Sequence, residues 1–190
     1  MTDNSQDYYS RLYEISRNIR ATDLDRRELS FSDGIQKAIE IIRAVSPSGK
    51  VMFIGNGGSA AISSHMSTDF WKNGGIRAVA FNDSSLLTCI GNDYGYAHVF
   101  EKPVGMFANS GDLLIAISSS GRSENILKGV AAARSRNCSV ITLSGFGKDN
   151  PLSLLGDCNF YVPSDAYGPV EVLHHSICHC ILDTIMKVKY

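Results

Sequence analysis

The sequence has almost no net charge: 18 Lys and Arg against 19 Asp and Glu leave a formal −1 at pH 7. So balanced a chain exerts no global pull on a polyanion, so no nucleic-acid partner is expected and any anion must be caught locally. No uncharged apolar stretch reaches the roughly 20 residues of a membrane span, and the polar start, with Asp3, Asn4 and Gln6, does not resemble a secretion signal. A cytoplasmic protein with no membrane partner is expected. The five cysteines, Cys89, Cys138, Cys158, Cys178 and Cys180, lack paired zinc-ribbon spacing, and all but Cys158 fall in segments that read as strand or helix interior. Free, buried thiols are the expectation. The chain also shows no repeat of solenoid length and no low-complexity tract.

What is present suits one globular domain over residues 1–190: 44% of the residues are hydrophobic and 19% charged, enough for a substantial core. Apolar residues recur at helical spacing over 9–19 and 29–45, the second with a stripe of Ile35, Ile39, Ile42 and Val45. Residues 1–48 therefore read as two N-terminal helices and 49–190 as the core. Within that core, strands are expected at 50–54, 77–81, 112–117, 138–143 and 159–162. Helices should cover 59–71, 123–136 and 169–188, the last opening on Pro169, a favourable first-turn residue. The polar stretch 144–149 reads as an ordinary connection. Strands alternating with helices predict an α/β fold, a three-layer αβα sandwich around a five-stranded parallel sheet with right-handed crossovers. Ligands in such sheets bind beyond the carboxyl ends of the strands, at a switch in strand order.

Two turns stand at such ends. Gly55-Asn56-Gly57-Gly58-Ser59 and Ser118-Ser119-Ser120-Gly121-Arg122-Ser123 each follow an apolar run and precede a helical pattern. Glycine lets the backbone approach an anion, serine supplies hydroxyl donors, and a helix N-terminus adds unpaired N–H groups. The first turn lacks the third glycine of a dinucleotide fingerprint and the lysine of a P-loop, so alone it reads equally well as a tight strand-to-helix turn. Two such turns from different strands read as one pocket for a phosphate ester, held without a metal.

Histidines and carboxylates cluster on two helical segments. His65 and Asp69 are four apart and share a face, a pattern that is also met in solvated surface pairs. Glu171, His175 and His179 recur every four residues along the last helix, where the plain alternative is a polar edge. His174 falls in the apolar stripe of Val170, Leu173, Ile177, Ile181 and Ile185 and is expected to be a packed core histidine. Imidazoles and carboxylates from two helices are what a zinc-type divalent site needs, and a catalytic site would keep one position open.

The first turn, the histidine six residues after its serine, Ile90-Gly91-Asn92-Asp93-Tyr94-Gly95 and the stretch 117–123 together resemble the phosphoheptose isomerases, sugar isomerase (SIS) domain proteins of flavodoxin-like fold acting on sedoheptulose 7-phosphate. The resemblance runs over nearly the whole chain. It implies a homotetramer with sites at subunit interfaces, and heptose supply for a bacterial lipopolysaccharide or similar surface polysaccharide. Ser59, Ser118, Ser119, Ser120 and Ser123 would hold the phosphate with the backbone of Gly57 and Gly58, and Asn56 and Asp93 would touch the sugar. The family's metal and catalytic positions fall on His65, Asp69, Glu171 and His179, with Glu171 or Asp69 as base, His179 as acid and zinc or another divalent metal as cofactor. Two of these differ in type from the family, which usually has glutamate at Asp69 and glutamine at Glu171. The terminal helix also opens Gly168-Pro169-Val170-Glu171 where the family usually has an arginine-containing run, which keeps a different sugar phosphate open.

Two other readings stand beside an isomerase. One is a noncatalytic SIS module that binds proteins, similar to the replication-initiator-associating protein; the other is a sugar-phosphate sensor. A pure scaffold has no chemical reason to carry His65 and His179 together, which favours the enzyme.

Overall fold

The structure, a computed structural model, describes residues 4–189. Helix α1, Asn4–Arg17, leads into a small hairpin of β1, Arg20–Asp23, and β2, Glu28–Leu29, and then into α2, Phe31–Ala44. The rest alternates as β3 Val51–Gly55, α3 Gly58–Lys72, β4 Ala78–Ala80, α4 Ser84–Tyr94, α5 Glu101–Phe107, β5 Leu113–Ser118, α6 Glu124–Ser135, β6 Ser139–Ser144, β7 Cys158–Tyr161 and α7 Tyr167–Met186. Local chemistry sets the boundaries. The Ser30 hydroxyl accepts the Asp33 N–H at the start of α2, and the Asp83 carboxylate accepts the N–H groups of Ser85 and Leu86 at the start of α4.

The strands form one mixed sheet of seven, in the order β2-β1-β7-β6-β5-β3-β4. The five strands expected from sequence are all present and mutually parallel, in the flavodoxin order. The hairpin corrects the expectation of a five-stranded sheet behind two bare helices: β1 adds antiparallel to the edge of β7, and β2 pairs with β1. Only Ala21 of β1 is buried, so its sequence carries no apolar alternation; the free edge of β7 makes it a strand. Arg20 and Glu28 pair across the hairpin.

Alternate residues of the central strands feed two cores. Val51, Phe53, Leu113, Ile115, Ile117, Ile141 and Leu143 face α2, α3 and α7, while Met52, Ile54, Leu114, Ala116 and Val140 face α5 and α6. Both faces are covered, which is why the strands read as continuous apolar runs. Phe53 meets Phe70 of α3 edge-on, with ring centroids 5.2 Å apart. No helix among the described residues is long and apolar enough to cross a membrane. All five cysteines are free thiols, but Cys89 is exposed and Cys180 half-buried, against the expectation that all are buried. Cys158 opens β7, and burial pushes its thiol and that of Cys178 up to about 12, leaving both neutral.

At the end of the sheet away from the glycine-serine turns, Asp112 is buried. Its carboxylate accepts the Lys50 N–H at 2.9 Å and the Asn109 N–H at 2.8 Å, and pairs with the Lys50 ammonium. Asp112→Ala strands all three donors. It should cost about 3 kcal/mol in urea unfolding. A midpoint equal to that of the wild type would show the pair to be neutral.

His174 is fully buried, as its place in the apolar stripe implied, and its Nε2 lies 3.1 Å from the Ser144 carbonyl oxygen, to which it donates. Burial lowers its pKa from 6.5 to about 4. The unfolded imidazole therefore binds a proton at a pH where the folded one refuses it. The resulting stabilisation is complete above pH 6.5 and is lost as pH falls toward 4, by about 1.4 kcal/mol per unit. Urea unfolding of metal-free protein between pH 7 and 4.5 should show this slope, reduced in His174→Phe; equal slopes in the two proteins would contradict it.

Candidate active site

The chain leaves β3 for the outer strand β4 and returns through β5 on the other side of β3. The switch in strand order thus lies between β3 and β5, and the two glycine-serine turns sit at its two lips. Together they enclose a cavity of about 240 Å³ lined by Asn56, Gly57, Gly58, Ser59, Ser118, Ser119, Ser120, Ser123, Tyr167 and Glu171. Eight of the nine residues expected to bind substrate line it. Asp93 does not: it lies on exposed α4, where its carboxylate accepts from the side-chain amide of Asn92 at 2.9 Å.

The lining is rich in unspent donors. Helices α3 and α6 begin with no side-chain cap on a backbone N–H from their N-cap residues, unlike α2 and α4, so the N–H groups of Gly58 and Ser59 and of Glu124 and Asn125 are left for a ligand, while those of Ala60 and Ile126 are already bonded. The hydroxyls of Ser59 and Ser119, both on buried residues, have no partner among the described residues. Ser118 and Ser123 share a contact at 3.4 Å, and the Gly121 N–H donates to the Ser118 hydroxyl at 3.2 Å. Gly57 sits at φ 54, a left-handed conformation open to glycine. Gly58 is required for another reason: a Cβ there would collide with the carboxylate of Glu171, which lies directly over it.

A second device locks the turns together. The side-chain amides of Asn56 and Asn125 exchange two hydrogen bonds of 2.9 Å, and the Tyr96 hydroxyl donates to Asn56 Oδ1 at 3.1 Å. Asn125 is buried at the start of α6. Sequence reading passed over Asn125, Tyr96 and Tyr167; only the position of Asn125, two residues beyond the serine turn, could have suggested it.

Beside the cavity, α3 and α7 pack together through Met66, Phe70, Leu173 and Ile177 and bring three imidazoles into contact. The rings of His65 and His175 are 5.0 Å apart, those of His65 and His179 5.4 Å, and those of His175 and His179 stack at 4.7 Å. One ligand atom from each lies within 4.8 Å of the other two. Burial, then repulsion from His179 and His65, lowers the His175 pKa, partly opposed by Asp69. The buried Nε2 of His175 has no hydrogen-bond partner. Such a group suits a divalent cation of the zinc class, whose ligands in a tetrahedral site stand about 3.3 Å apart, so a small closure of the rings would seat one.

Of the four residues expected to share a metal, His65 and His179 are together. Asp69 Oδ2 touches His65 Nε2 at 3.3 Å and its Oδ1 accepts from the Asn73 amide at 3.1 Å, but it does not join the compact group. Glu171 stands apart from that group, one turn along α7 and over Gly58. His175, part of the row read on the last helix but outside the positions the resemblance implied, fills out the trio.

A model of the SIS domain family matches residues 17–145. The phosphoheptose isomerase of Helicobacter hepaticus is 38% identical over 163 residues, 82% of this chain and 83% of that protein. The chain belongs to the phosphoheptose isomerase family. Two solved structures of that family superpose on nearly its whole length. The phosphoheptose isomerase from Neisseria gonorrhoeae gives a TM-score of 0.83 at 29% identity, covering 96% of this chain and 98% of that one. The one from Francisella tularensis gives 0.84 at 28% identity, covering 99% and 100%. Phosphoheptose isomerases are enzymes acting on sugar phosphates, which accords with a donor-rich cavity whose far wall is a carboxylate. The SIS match ends before α7.

Proposed function

We propose that this protein interconverts sedoheptulose 7-phosphate and a heptose 7-phosphate. The observation that carries the reading is the Glu171 carboxylate on the wall of a cavity whose opposite lips are the two phosphate-type turns, in a phosphoheptose isomerase fold. The turn serines and the open first turns of α3 and α6 take the phosphate. Held there, the phosphate orients the rest of the sugar, so that binding energy serves the reaction.

Glu171 is the base. It removes a proton from C1 of the ketose, the electron pair forms an enediolate with C2, and return of the proton to C2, with transfer of the hydroxyl proton from O1 to O2, leaves the aldose. Asp69, the other candidate, is engaged with His65 and Asn73 and does not line the cavity. A divalent metal such as zinc, held by imidazoles beside the cavity, would polarise the carbonyl and stabilise the oxyanion. A scaffold or a sensor has no use for an unpaired carboxylate at that wall.

A homotetramer belongs to the same reading: α4 buries none of its residues, and Tyr9 and Tyr13 of α1 are exposed. Free thiols fit a reducing compartment, the cytoplasm. The decisive experiment offers ketose phosphates of five to seven carbons, with and without chelator, and measures aldose formation. Conversion of the seven-carbon substrate is expected to be fastest. Failure of all of them would move the assignment to a binding module.

A further inference from the structure

We propose that His65, His175 and His179 are the ligands of a divalent cation of the zinc class, and that Glu171 lies outside the ligand set. The resemblance assigned metal to His65, Asp69, Glu171 and His179; the geometry keeps the two histidines and puts His175 in place of Asp69 and Glu171. His175 and His179 are one turn apart on α7, and their stacked rings face His65 on α3. Among the described residues this is the one compact group of potential metal ligands. Its members are not a loose surface set, because the helices that carry them are locked by shared core contacts on either side.

The buried, partnerless Nε2 of His175 is the second observation. A buried nitrogen without a partner costs about 1–3 kcal/mol, and a sequence that needed only a polar helix edge has no reason to bear it. A proton does not resolve the difficulty, because imidazolium rings packed this closely repel one another. A cation resolves it, since neutral imidazole nitrogens are its preferred donors and three of them leave a position open for substrate oxygen. Asp69 adds a negative charge next to His65 that favours a dication. Glu171, over Gly58, is thereby left free to carry a proton.

The role of Glu171 rests on the isomerase reading, but the ligand set does not, and it can be tested without substrate. Protein stripped with chelator is titrated with cobalt(II) alone, following its visible d–d absorption, and with zinc against a chromophoric chelator. Wild type should take up one ion per chain. His175→Ala should weaken binding by about 100-fold or more, and so should His65→Ala, a half-exposed position whose loss spares the core. Glu171→Gln should change the affinity by less than about tenfold and leave the cobalt spectrum as it was. Three results would overturn the assignment: no cobalt uptake by wild type, full affinity in folded His65→Ala or His175→Ala, or loss of the ion in Glu171→Gln. Ion binding without turnover of any ketose phosphate would instead strike the isomerase reading and leave the site standing.

Discussion

Glu171→Gln is expected to lower kcat by about a thousandfold, with KM for the sugar phosphate nearly unchanged. The substitution keeps the volume of the side chain, removes its charge and its ability to accept a proton, and exchanges one acceptor oxygen for an N–H donor. Glu171 is half-buried, lines the cavity and has no hydrogen bond or ion pair among the described residues, so the protein loses no structural contact. The unfolding midpoint should stay where it is. Steady-state kinetics in both directions would check this, together with exchange of the C1 proton with deuterated solvent, which should fall in step with kcat. Turnover within about tenfold of wild type would remove Glu171 from the role of base.

Gly58→Ala should reduce kcat by about a hundredfold, which is an unusual penalty for one methyl group. The new Cβ would occupy the space of the Glu171 carboxylate, and because that carboxylate ends a flexible side chain, the chain can relieve the clash by swinging away. Folding then survives while the base is displaced from the reacting carbon. The first turn of α3 keeps its backbone donors, so phosphate affinity should change far less than turnover. A double-mutant cycle makes the argument specific: Gly58→Ala added to Glu171→Gln should cost little more, since both act through one carboxylate. Additive losses would mean that Gly58 serves the phosphate directly and not the base.

Much of this protein was legible in its sequence. The five apolar runs gave the parallel strands because both faces of the sheet are covered, and a strand buried on both sides must be apolar throughout. The two glycine-serine turns were legible because backbone that approaches an anion admits few residue types. His174 was readable as a core residue from its place in an apolar stripe. The β1-β2 hairpin was not, because Arg20-Ala21-Thr22-Asp23 has one buried residue and becomes a strand through the unpaired edge of β7. Asn125 was hidden for a similar reason: its partner, Asn56, is 69 residues away.

The sequence by itself therefore determined the layers and the strand-end placement of the turns, since these follow from periodicity and local backbone chemistry. Tertiary structure alone decided which of the acidic and imidazole side chains come together. Glu171, His175 and His179 form one even row along α7, and nothing in a helical period distinguishes them. The neighbours across the interface do so. Gly58 of α3 has no side chain and admits the Glu171 carboxylate to the cavity, whereas one turn and two turns further along the same helix face His65 and gather the imidazoles there.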